Sequence, residues 1–361
     1  MKRPGSSGDM KRYEIFRGRR VLVTGDTGFK GSWLCLWLHQ VGAQVLGYAL
    51  PPLREEDHYN LLGLDELIEH VTGDIRDGEL VLSTFERFRP EIVFHLAAQP
   101  LVRYSYSEPK ETFDVNVAGS VNILDAVRTC PSVKALVYVT SDKCYRNNEW
   151  IWGYREIDEL GGHDPYSASK AAAELVFSSY QDSFFLQRPD FGAASVRAGN
   201  VIGGGDWALD RIVPDCIRAL RNGQPVVLRN PSSTRPWQHV LEPLSGYLET
   251  AARLLQEPRA FSGVWNFGPD TRSVRTVGDL ARMIVSEWGG GSIEIAESGN
   301  APHEARLLHL NCDKANQLLQ WRPKWGADRA ISETVRWYRK VHEGKNAREI
   351  SARQIMEYME T

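Results

Sequence analysis

Residues capable of acid–base chemistry are concentrated in two short stretches of the chain. The first follows an apolar run and places a hydroxyl, a carboxylate and an amine side by side, at Ser141, Asp142 and Lys143. Tyr166 and Lys170 form the second, four residues apart, a spacing that puts both side chains on one face of a helix. These five residues are the predicted catalytic groups.

The second stretch has the composition of a base and its activator. An ammonium group favours the charged form of a neighbouring phenol, so Lys170 is expected to lower the pKa of Tyr166. The phenolate would take a proton from a hydroxyl group while a hydride leaves the same carbon. Asp142 and Lys143 add a second acid–base pair that a simple alcohol dehydrogenase does not need. The residues therefore favour oxidation and elimination on one substrate. Their structural alternative is an ion pair at the end of a strand.

A glycine-rich turn with GxxGxxG spacing follows the first predicted strand and opens an apolar helix. Such a turn lets a pyrophosphate approach the free N–H groups at the start of a helix, although it can also serve packing alone. Two later strand ends have sequences that suit cofactor contacts. Residues 73–77 suit the adenine, and residues 95–99 suit the cofactor ribose. The predicted cofactor-binding residues are Gly25, Thr27, Gly28, Phe29, Lys30, Asp74, Ile75, Leu96, Ala97 and Ala98, together with Tyr166 and Lys170.

One expected element of a dinucleotide site is absent from the sequence. A carboxylate at the end of the second strand normally holds the ribose hydroxyls, yet residues 46–51 contain none. The nearest arginine that would suit a 2′-phosphate is Arg54. We expect NAD rather than NADP.

Short β-branched runs alternate with helical patterns from residue 21 to residue 197, which is typical of a parallel α/β sheet. The predicted strands are 21–24, 44–48, 69–72, 92–96, 135–140 and 193–196, and the predicted helices are 31–41, 112–128 and 167–181. We expect a Rossmann-type doubly wound parallel sheet with a smaller C-terminal substrate-binding lobe. The predicted divisions are a disordered leader at 1–18, the dinucleotide-binding domain at 19–197, and the lobe at 198–361 with segments returning to that domain.

Composition excludes several functional classes. A net charge of −3 gives no bulk attraction to nucleic acid or anionic membranes, and no apolar stretch reaches 18 residues.

The five cysteines are odd in number and widely spaced, so no disulfide framework and no metal site are expected. Reduced thiols of this kind indicate a cytoplasmic protein. Cys144 lies in the first catalytic stretch, and packing is favoured over a nucleophilic role because no histidine adjoins it.

Taken together, these motifs resemble the extended short-chain dehydrogenase/reductase family from about Arg19 to the C-terminus. A single Tyr-x-x-x-Lys motif arises easily by chance, whereas several family motifs occur here in order. They occupy residues 24–33, 99–103, 141–145, 150–154, 164–170, 199–207 and 235–243. The Asp142-Lys143 pair looks like the branch of the family that dehydrates CDP-glucose, since epimerases lack the pair and the dTDP-glucose dehydratases have Asp-Glu.

The resemblance implies a role for each catalytic residue. Tyr166 would remove the C4 hydroxyl proton of the sugar, Ser141 would share the C4 oxygen, and Lys170 would bind the nicotinamide ribose. Lys143 would then take the C5 proton, and Asp142 would protonate the departing C6 hydroxyl. These last two roles need a neutral lysine and a protonated carboxyl, the reverse of their ordinary states at pH 7, so a low-dielectric site is expected.

The resemblance also implies a CDP-sugar substrate and a homodimer. Substrate contacts are expected at Ser141, Asn200, Arg211, Arg235 and His239, because a pyrophosphate needs amide or guanidinium donors. Trp237 is a candidate for stacking on the base, and a loop containing His303, Glu304 and Arg306 is a candidate lid. Helices 112–128 and 167–181 carry more apolar residues than one sheet contact needs, which favours a four-helix bundle across a two-fold axis. Coverage of both helices by the lobe is the alternative.

Two other functions remain open. One is a 4-epimerase or a dehydratase acting on another nucleotide-sugar, which would share the catalytic tyrosine and lysine. The other is a catalytically silent NAD-sensing protein, which the intact Ser141, Tyr166 and Lys170 set argues against.

Overall fold

A seven-stranded parallel sheet organises the molecule. The computed structural model describes residues 12–270, 274–296 and 308–361. Its strands are β1 Arg20–Thr24, β2 Gln44–Ala49, β3 Glu69–Thr72, β4 Ile92–His95, β5 Ala135–Val139, β6 Gly192–Ala198, β7 Val201–Ile202, β8 Val226–Leu228, β9 Thr234–Pro236, β10 Gln238–His239, β11 Gly263–Phe267, β12 Val274–Thr276 and β13 Ile293–Ile295. The central sheet has the order β3-β2-β1-β4-β5-β6-β11, and all its neighbouring strands are parallel.

Helices connect the strands and cover both faces of this sheet. They are α1 Phe29–Gln40, α2 His58–Leu62, α3 Gly78–Phe88, α4 Val102–Ser107, α5 Pro109–Phe113, α6 Ser120–Thr129, α7 Pro165–Ser183, α8 Ile212–Arg221, α9 Leu241–Gln256, α10 Pro258–Phe261, α11 Val277–Trp288, α12 Ala327–His342 and α13 Ala347–Glu360. Successive strand residues point to opposite faces, so each strand feeds two separate cores. In β1, Val21 and Val23 pack with α1 and α9, whereas Leu22 packs with α3, α6 and α7.

The polypeptide after residue 198 builds a second, smaller set of elements. Three two-stranded sheets, β7-β10, β9-β12 and β8-β13, are combined with α8, α11 and α12. Parts of this segment return to the central sheet. β11 pairs with β6, α9 packs against β5 and β6, and α13 packs against α1.

Two predicted regions differ from the structure. Residues 112–128 do not form one α-helix, because a π-helix at Asp114–Gly119 separates α5 from α6. Part of the predicted leader is ordered, since a 3₁₀-helix at Tyr13–Phe16 buries both of its terminal aromatic rings in the core. Residues 1–11 lie outside the described residues.

Within the residues that the structure describes, no helix is long and apolar enough to cross a membrane. The same residues contain no cluster of three or more side chains suited to hold a metal ion.

Candidate active site

The predicted catalytic stretches meet where β5 ends and α7 begins. Ser141 follows β5 and caps a short 3₁₀-turn at Asp142–Cys144, accepting a hydrogen bond from the Lys143 backbone N–H. The Asp164 carboxylate caps α7 by accepting from the Ser167 N–H at 2.9 Å. These two caps fix the backbone on either side of the site.

Tyr166 lies in the first turn of α7, where its side chain is almost completely buried. Its backbone N–H donates to the Ser105 hydroxyl at 3.1 Å. Burial raises the pKa of the Tyr166 phenol, and it outweighs the opposing effects of the Lys143 charge and of a hydrogen bond with Ser141. The net direction is therefore opposite to the one predicted from the charge of Lys170, whose own contribution stays a prediction. Desolvation dominates, and Lys143 supplies the strongest opposing charge.

The Asp142 carboxylate is buried, with 1% of the residue exposed. One oxygen, Oδ1, accepts from the Ser141 hydroxyl at 3.0 Å and lies 3.6 Å from Lys143 Nζ. The other, Oδ2, is buried without a hydrogen-bond partner. It lies only 3.1 Å from the point that a Cβ at Gly199 would occupy. A buried acceptor without a partner is costly, so Asp142 Oδ2 is suited to bind a donor group of a substrate.

Two lysines of the site, Lys170 and Lys30, have lowered pKa values. Burial lowers the pKa of Lys170 to about 8, against the opposing influence of the Glu174 carboxylate. Burial likewise lowers the pKa of Lys30 to about 8, with a further contribution from Arg211 and partial compensation by Asp142. Lys30 comes from the glycine-rich turn, so that turn contributes charge to the catalytic centre as well as a cofactor surface.

The glycine-rich turn leaves no room for side chains at its key positions. Gly25 has φ 77°, and a Cβ there would lie 2.8 Å from the Ala97 nitrogen. A Cβ at Gly31 would lie 2.0 Å from the Gly25 carbonyl oxygen. Gly28 precedes α1 and provides no side-chain cap for its first turn. A bare turn in front of an uncapped helix is the cradle that a dinucleotide pyrophosphate requires.

Other predicted cofactor residues surround the same turn. Thr27 donates to the Leu50 carbonyl at 2.8 Å. The backbone N–H groups of Leu96 and Ala97 both donate to the Thr24 hydroxyl. Phe29 and Ala98 are half-buried beside them.

Asp74 and Ile75, which are predicted to contact the adenine, follow β3. The Asp74 carbonyl accepts from the Tyr48 hydroxyl at 2.9 Å, and Ile75 is buried.

A carboxylate also lies against β2, although that strand carries none. Asp26 accepts a hydrogen bond from His70 at 2.8 Å, and its Oδ2 lies 2.0 Å from the point that a Cβ at Gly47 would occupy.

Of the predicted substrate residues Arg211, Asn200 and Arg235, Arg211 lies near a catalytic group, and the positions of the other two are given by their strands. Arg211 is held by Asp206, with 2.8 Å between Nη1 and Oδ2, and its charge acts on Tyr166. Asn200 lies between β6 and β7. Its backbone carbonyl accepts a hydrogen bond from the Gln238 N–H of β10 at 3.1 Å. Arg235 is half-buried in β9.

The structure does not bring His239 into this group. The residue is fully buried, its ring contacts Trp33 and Trp325, and its Nδ1 accepts from the Leu241 N–H. Its Nε2 is buried without a hydrogen-bond partner, and its assignment to the substrate site stays a prediction. Trp237 is also buried, with 3% exposed. His303, Glu304 and Arg306 lie outside the described residues.

Sequence analysis missed two polar groups behind the site. Asn116, in the π-helix, exchanges hydrogen bonds with the Gln99 backbone and donates to the Ser169 hydroxyl at 2.9 Å. Glu174 forms a buried ion pair with Arg197 at 2.8 Å. No local pattern marked Asn116, whereas Glu174 follows Lys170 by four residues, a spacing that was available as a signal.

Comparison with known proteins shows which family this sequence resembles. The sequence profile of the GDP-mannose 4,6 dehydratase family matches residues 22–334. A CDP-glucose 4,6-dehydratase of Salmonella typhimurium is 49% identical over 349 residues, which cover 96% of this chain and 97% of that protein.

Two solved structures share the fold over nearly the whole chain. An epimerase from Methanothermobacter thermautotrophicus superposes with a TM-score of 0.81 at 25% identity, covering 95% of this chain and 98% of that one. A UDP-glucose 4-epimerase of Thermus thermophilus in complex with NAD gives 0.74 at 28% identity, with coverages of 89% and 99%.

The close contact at Gly31 generates a test of the cradle. Because an added methyl group would collide with the backbone of Gly25, Gly31→Ala should displace the turn and weaken NAD binding at least tenfold, with a loss of stability of about 1–3 kcal/mol. Isothermal titration with NAD and thermal unfolding would measure both effects. Gly326→Ala is the matched control, since a Cβ there meets nothing within 4 Å. Unchanged NAD affinity in Gly31→Ala would show that the turn serves packing alone.

Proposed function

The chain belongs to the GDP-mannose 4,6 dehydratase family, and from this premise we propose that it is a CDP-glucose 4,6-dehydratase. The enzyme converts CDP-D-glucose to CDP-4-keto-6-deoxy-D-glucose without net consumption of NAD. One observation carries the proposal. The buried Asp142 carboxylate and its partner Lys143 lie beside Ser141 and Tyr166, so groups for oxidation and for elimination adjoin the same reacting sugar.

NAD fits the glycine-rich turn and the strand ends around it. The tight backbone packing at Gly25, Gly28 and Gly31 excludes side chains from the turn, which supports close approach of a pyrophosphate to the helix N-terminus, and the solved epimerase with 28% identity holds NAD. When bound, NAD accepts a hydride from C4 of the sugar and later supplies one to C6. We assign the nicotinamide ribose to Lys170.

The first proton transfer belongs to Tyr166. Its phenolate takes the C4 hydroxyl proton, and Ser141, which is hydrogen-bonded to Tyr166, stabilises charge on the C4 oxygen. Burial raises the pKa of the phenol, so the positive charges of Lys143 and Arg211 are needed to make the phenolate accessible.

Elimination follows from the ketone at C4. The C5 hydrogen is now α to a carbonyl, and Lys143 in its neutral form removes it as a proton. Asp142 in its protonated form gives its proton to the C6 hydroxyl, which leaves as water. The partnerless Asp142 Oδ2 is the oxygen that we assign to this transfer. When hydride is returned to C6, the Lys143 ammonium gives a proton back to C5, which completes the 6-deoxy product. Lys143 Nζ and Asp142 Oδ1 lie 3.6 Å apart as an ion pair, so the base and the acid of the elimination adjoin.

The nucleotide end of the substrate needs donors for its pyrophosphate. We assign this role to Asn200, Arg211 and Arg235, whose amide and guanidinium groups match phosphate oxygens. Arg211 is already held in place by Asp206, so little side-chain entropy is lost on binding.

We also infer a cytoplasmic location and a homodimer. All five cysteines are unpaired thiols, which suits a reducing compartment. For the dimer, Leu175 on α7 is 63% exposed and Phe113 on α5 is 39% exposed. Val117 and Val121 are half-buried on the neighbouring turns. Burial of such a surface against its own copy would remove it from water.

Product analysis tests the reaction directly. Pure protein incubated with CDP-, dTDP-, UDP- and GDP-sugars should convert CDP-D-glucose with a loss of about 18 Da, the mass of one water. Mass spectrometry and NMR would resolve the products. An unchanged mass with altered stereochemistry would indicate an epimerase, and preference for another base would indicate a different dehydratase. Absence of turnover with every sugar would leave a silent NAD-binding protein.

Single-turnover kinetics test whether Lys143 and Tyr166 act in different steps. Lys143→Ala should form reduced nicotinamide but stop before elimination, because Lys143 acts only after the ketone exists. Tyr166→Phe should suppress every step by roughly 10²–10⁴-fold, the range for loss of a general base. Nicotinamide absorbance in a stopped-flow instrument distinguishes the two variants. A Lys143→Ala enzyme that forms no reduced nicotinamide would contradict the assignment of Lys143 to the second step.

Light scattering at micromolar concentration tests the dimer. We expect about twice the 40.8 kDa of one chain, and Leu175→Glu should shift the mass toward a single chain because it places charge in the apolar interface. Leu82→Glu, at an exposed leucine of α3, is the control and should leave the mass unchanged. A single-chain mass for the unmodified protein would disprove the dimer.

A further inference from the structure

A buried ion pair lies directly behind the catalytic helix. The side chains of Glu174 and Arg197 are only 2% and 3% exposed, and two N–H groups of Arg197 donate to the two carboxylate oxygens at 2.8 and 2.9 Å. The Glu174 Oε1 also accepts from the Ser195 hydroxyl at 2.6 Å and from the Thr140 hydroxyl. The carboxylate thus accepts four hydrogen bonds, and the Arg197 guanidinium offsets its charge.

These hydrogen bonds join the three elements that carry the catalytic and substrate residues. Glu174 lies one helical turn after Lys170 on α7. Thr140 immediately precedes Ser141 at the end of β5. Arg197 lies in β6, three residues before Asn200. A change in this pair is therefore expected to displace Tyr166, Ser141 and Asn200 together.

Arg197 is further restrained from its other side. Its guanidinium lies 4.6 Å from the centre of the Tyr145 ring, and it donates to the Glu156 carbonyl at 3.4 Å. A salt bridge buried to this extent gains little net stability over apolar side chains, although loss of one partner leaves an uncompensated charge. Its presence beside the catalytic lysine suggests a role in the chemistry.

We propose that Glu174 and Arg197 are a positioning pair, which holds Tyr166 and Lys170 in place and sets the electrostatic balance of that couple. The inference deepens the proposed function and rests on its assignment of Tyr166 as base. Lys170 lies one helical turn after Tyr166 on α7. Neither Glu174 nor Arg197 is assigned contact with the reacting atoms.

The charges around the couple define the expected direction of change. Burial lowers the pKa of Lys170, and Glu174 is the principal group that opposes this effect. The other titratable or charged groups that act on the couple are Lys30, His95, Asp142, Lys143, Cys144, Arg211 and Tyr247. A buried unpaired positive charge favours deprotonation of the couple, whereas an unpaired negative charge favours its protonated form.

Two single variants of opposite charge test the pair. Glu174→Gln leaves Arg197 uncompensated and should move the titration of the Tyr166–Lys170 couple to lower pH by about one unit. Arg197→Met leaves Glu174 uncompensated and should move it to higher pH by a similar amount. The double variant carries no net charge at this place, so its titration should fall between those of the single variants even if either single variant folds poorly.

Ultraviolet difference titration of the phenolate measures this shift in the full-length protein without substrate. The spectrum of each variant is compared with that of its Tyr166→Phe counterpart, so that only Tyr166 contributes. Because no turnover is required, the result is independent of whether CDP-glucose is the substrate. The acid limb of the pH–rate profile should move in the same direction for each variant that turns over.

Glu333→Gln is the control, since Glu333 pairs with Arg336 at 2.6 Å and is mostly buried in α12. It should lower the melting temperature without moving the Tyr166 titration. Opposite shifts in the two single variants with a stationary control would support the proposal. Equal titration in all variants, or shifts in the same direction, would overturn it and reduce the pair to a structural support.

Discussion

The crowding of positive charge around one carboxylate is the constraint on which the site depends. Lys30, Lys143, Lys170 and Arg211 come from four different segments, and their charges act together near Asp142. Burial makes this arrangement costly, and it lowers the pKa of Lys30 and of Lys170 to about 8. The same positive field favours every anion that the proposed reaction needs, from the phenolate to the enolate and the two pyrophosphates.

The parallel sheet explains how these charges come together. The carboxyl ends of β1, β4, β5 and β6 lie along one edge, so the glycine-rich turn, the catalytic turn after β5 and the segment after β6 all reach the same cleft. Helix α7 adds Tyr166 and Lys170 from the side, and the Glu174–Arg197 pair fastens it to β5 and β6. The same few contacts therefore determine the position, the burial and the charge environment of Tyr166 and Lys170.

The sequence allowed the sheet and the glycine-rich turn to be predicted for physical reasons. Apolar β-branched runs mark strands buried on both faces, and glycine positions mark a turn that tolerates no side chain. Other features depend on contacts between distant residues. The π-helix at Asp114–Gly119 has no local signature, and burial of His239 between two tryptophans cannot be inferred from its neighbour Arg235. The pKa of Tyr166 was misjudged because a spacing of four residues carries no information about desolvation.

We propose that one site oxidises C4, eliminates water across C5 and C6, and reduces C6 of the same sugar molecule. CDP-glucose carrying deuterium at C4 tests this order of steps. We predict that NMR and mass spectrometry of the product will show the deuterium at C6, and that a parallel reaction of unlabelled substrate in deuterium oxide will place solvent deuterium at C5. Retention of the label at C4, or its loss to solvent, would contradict the account.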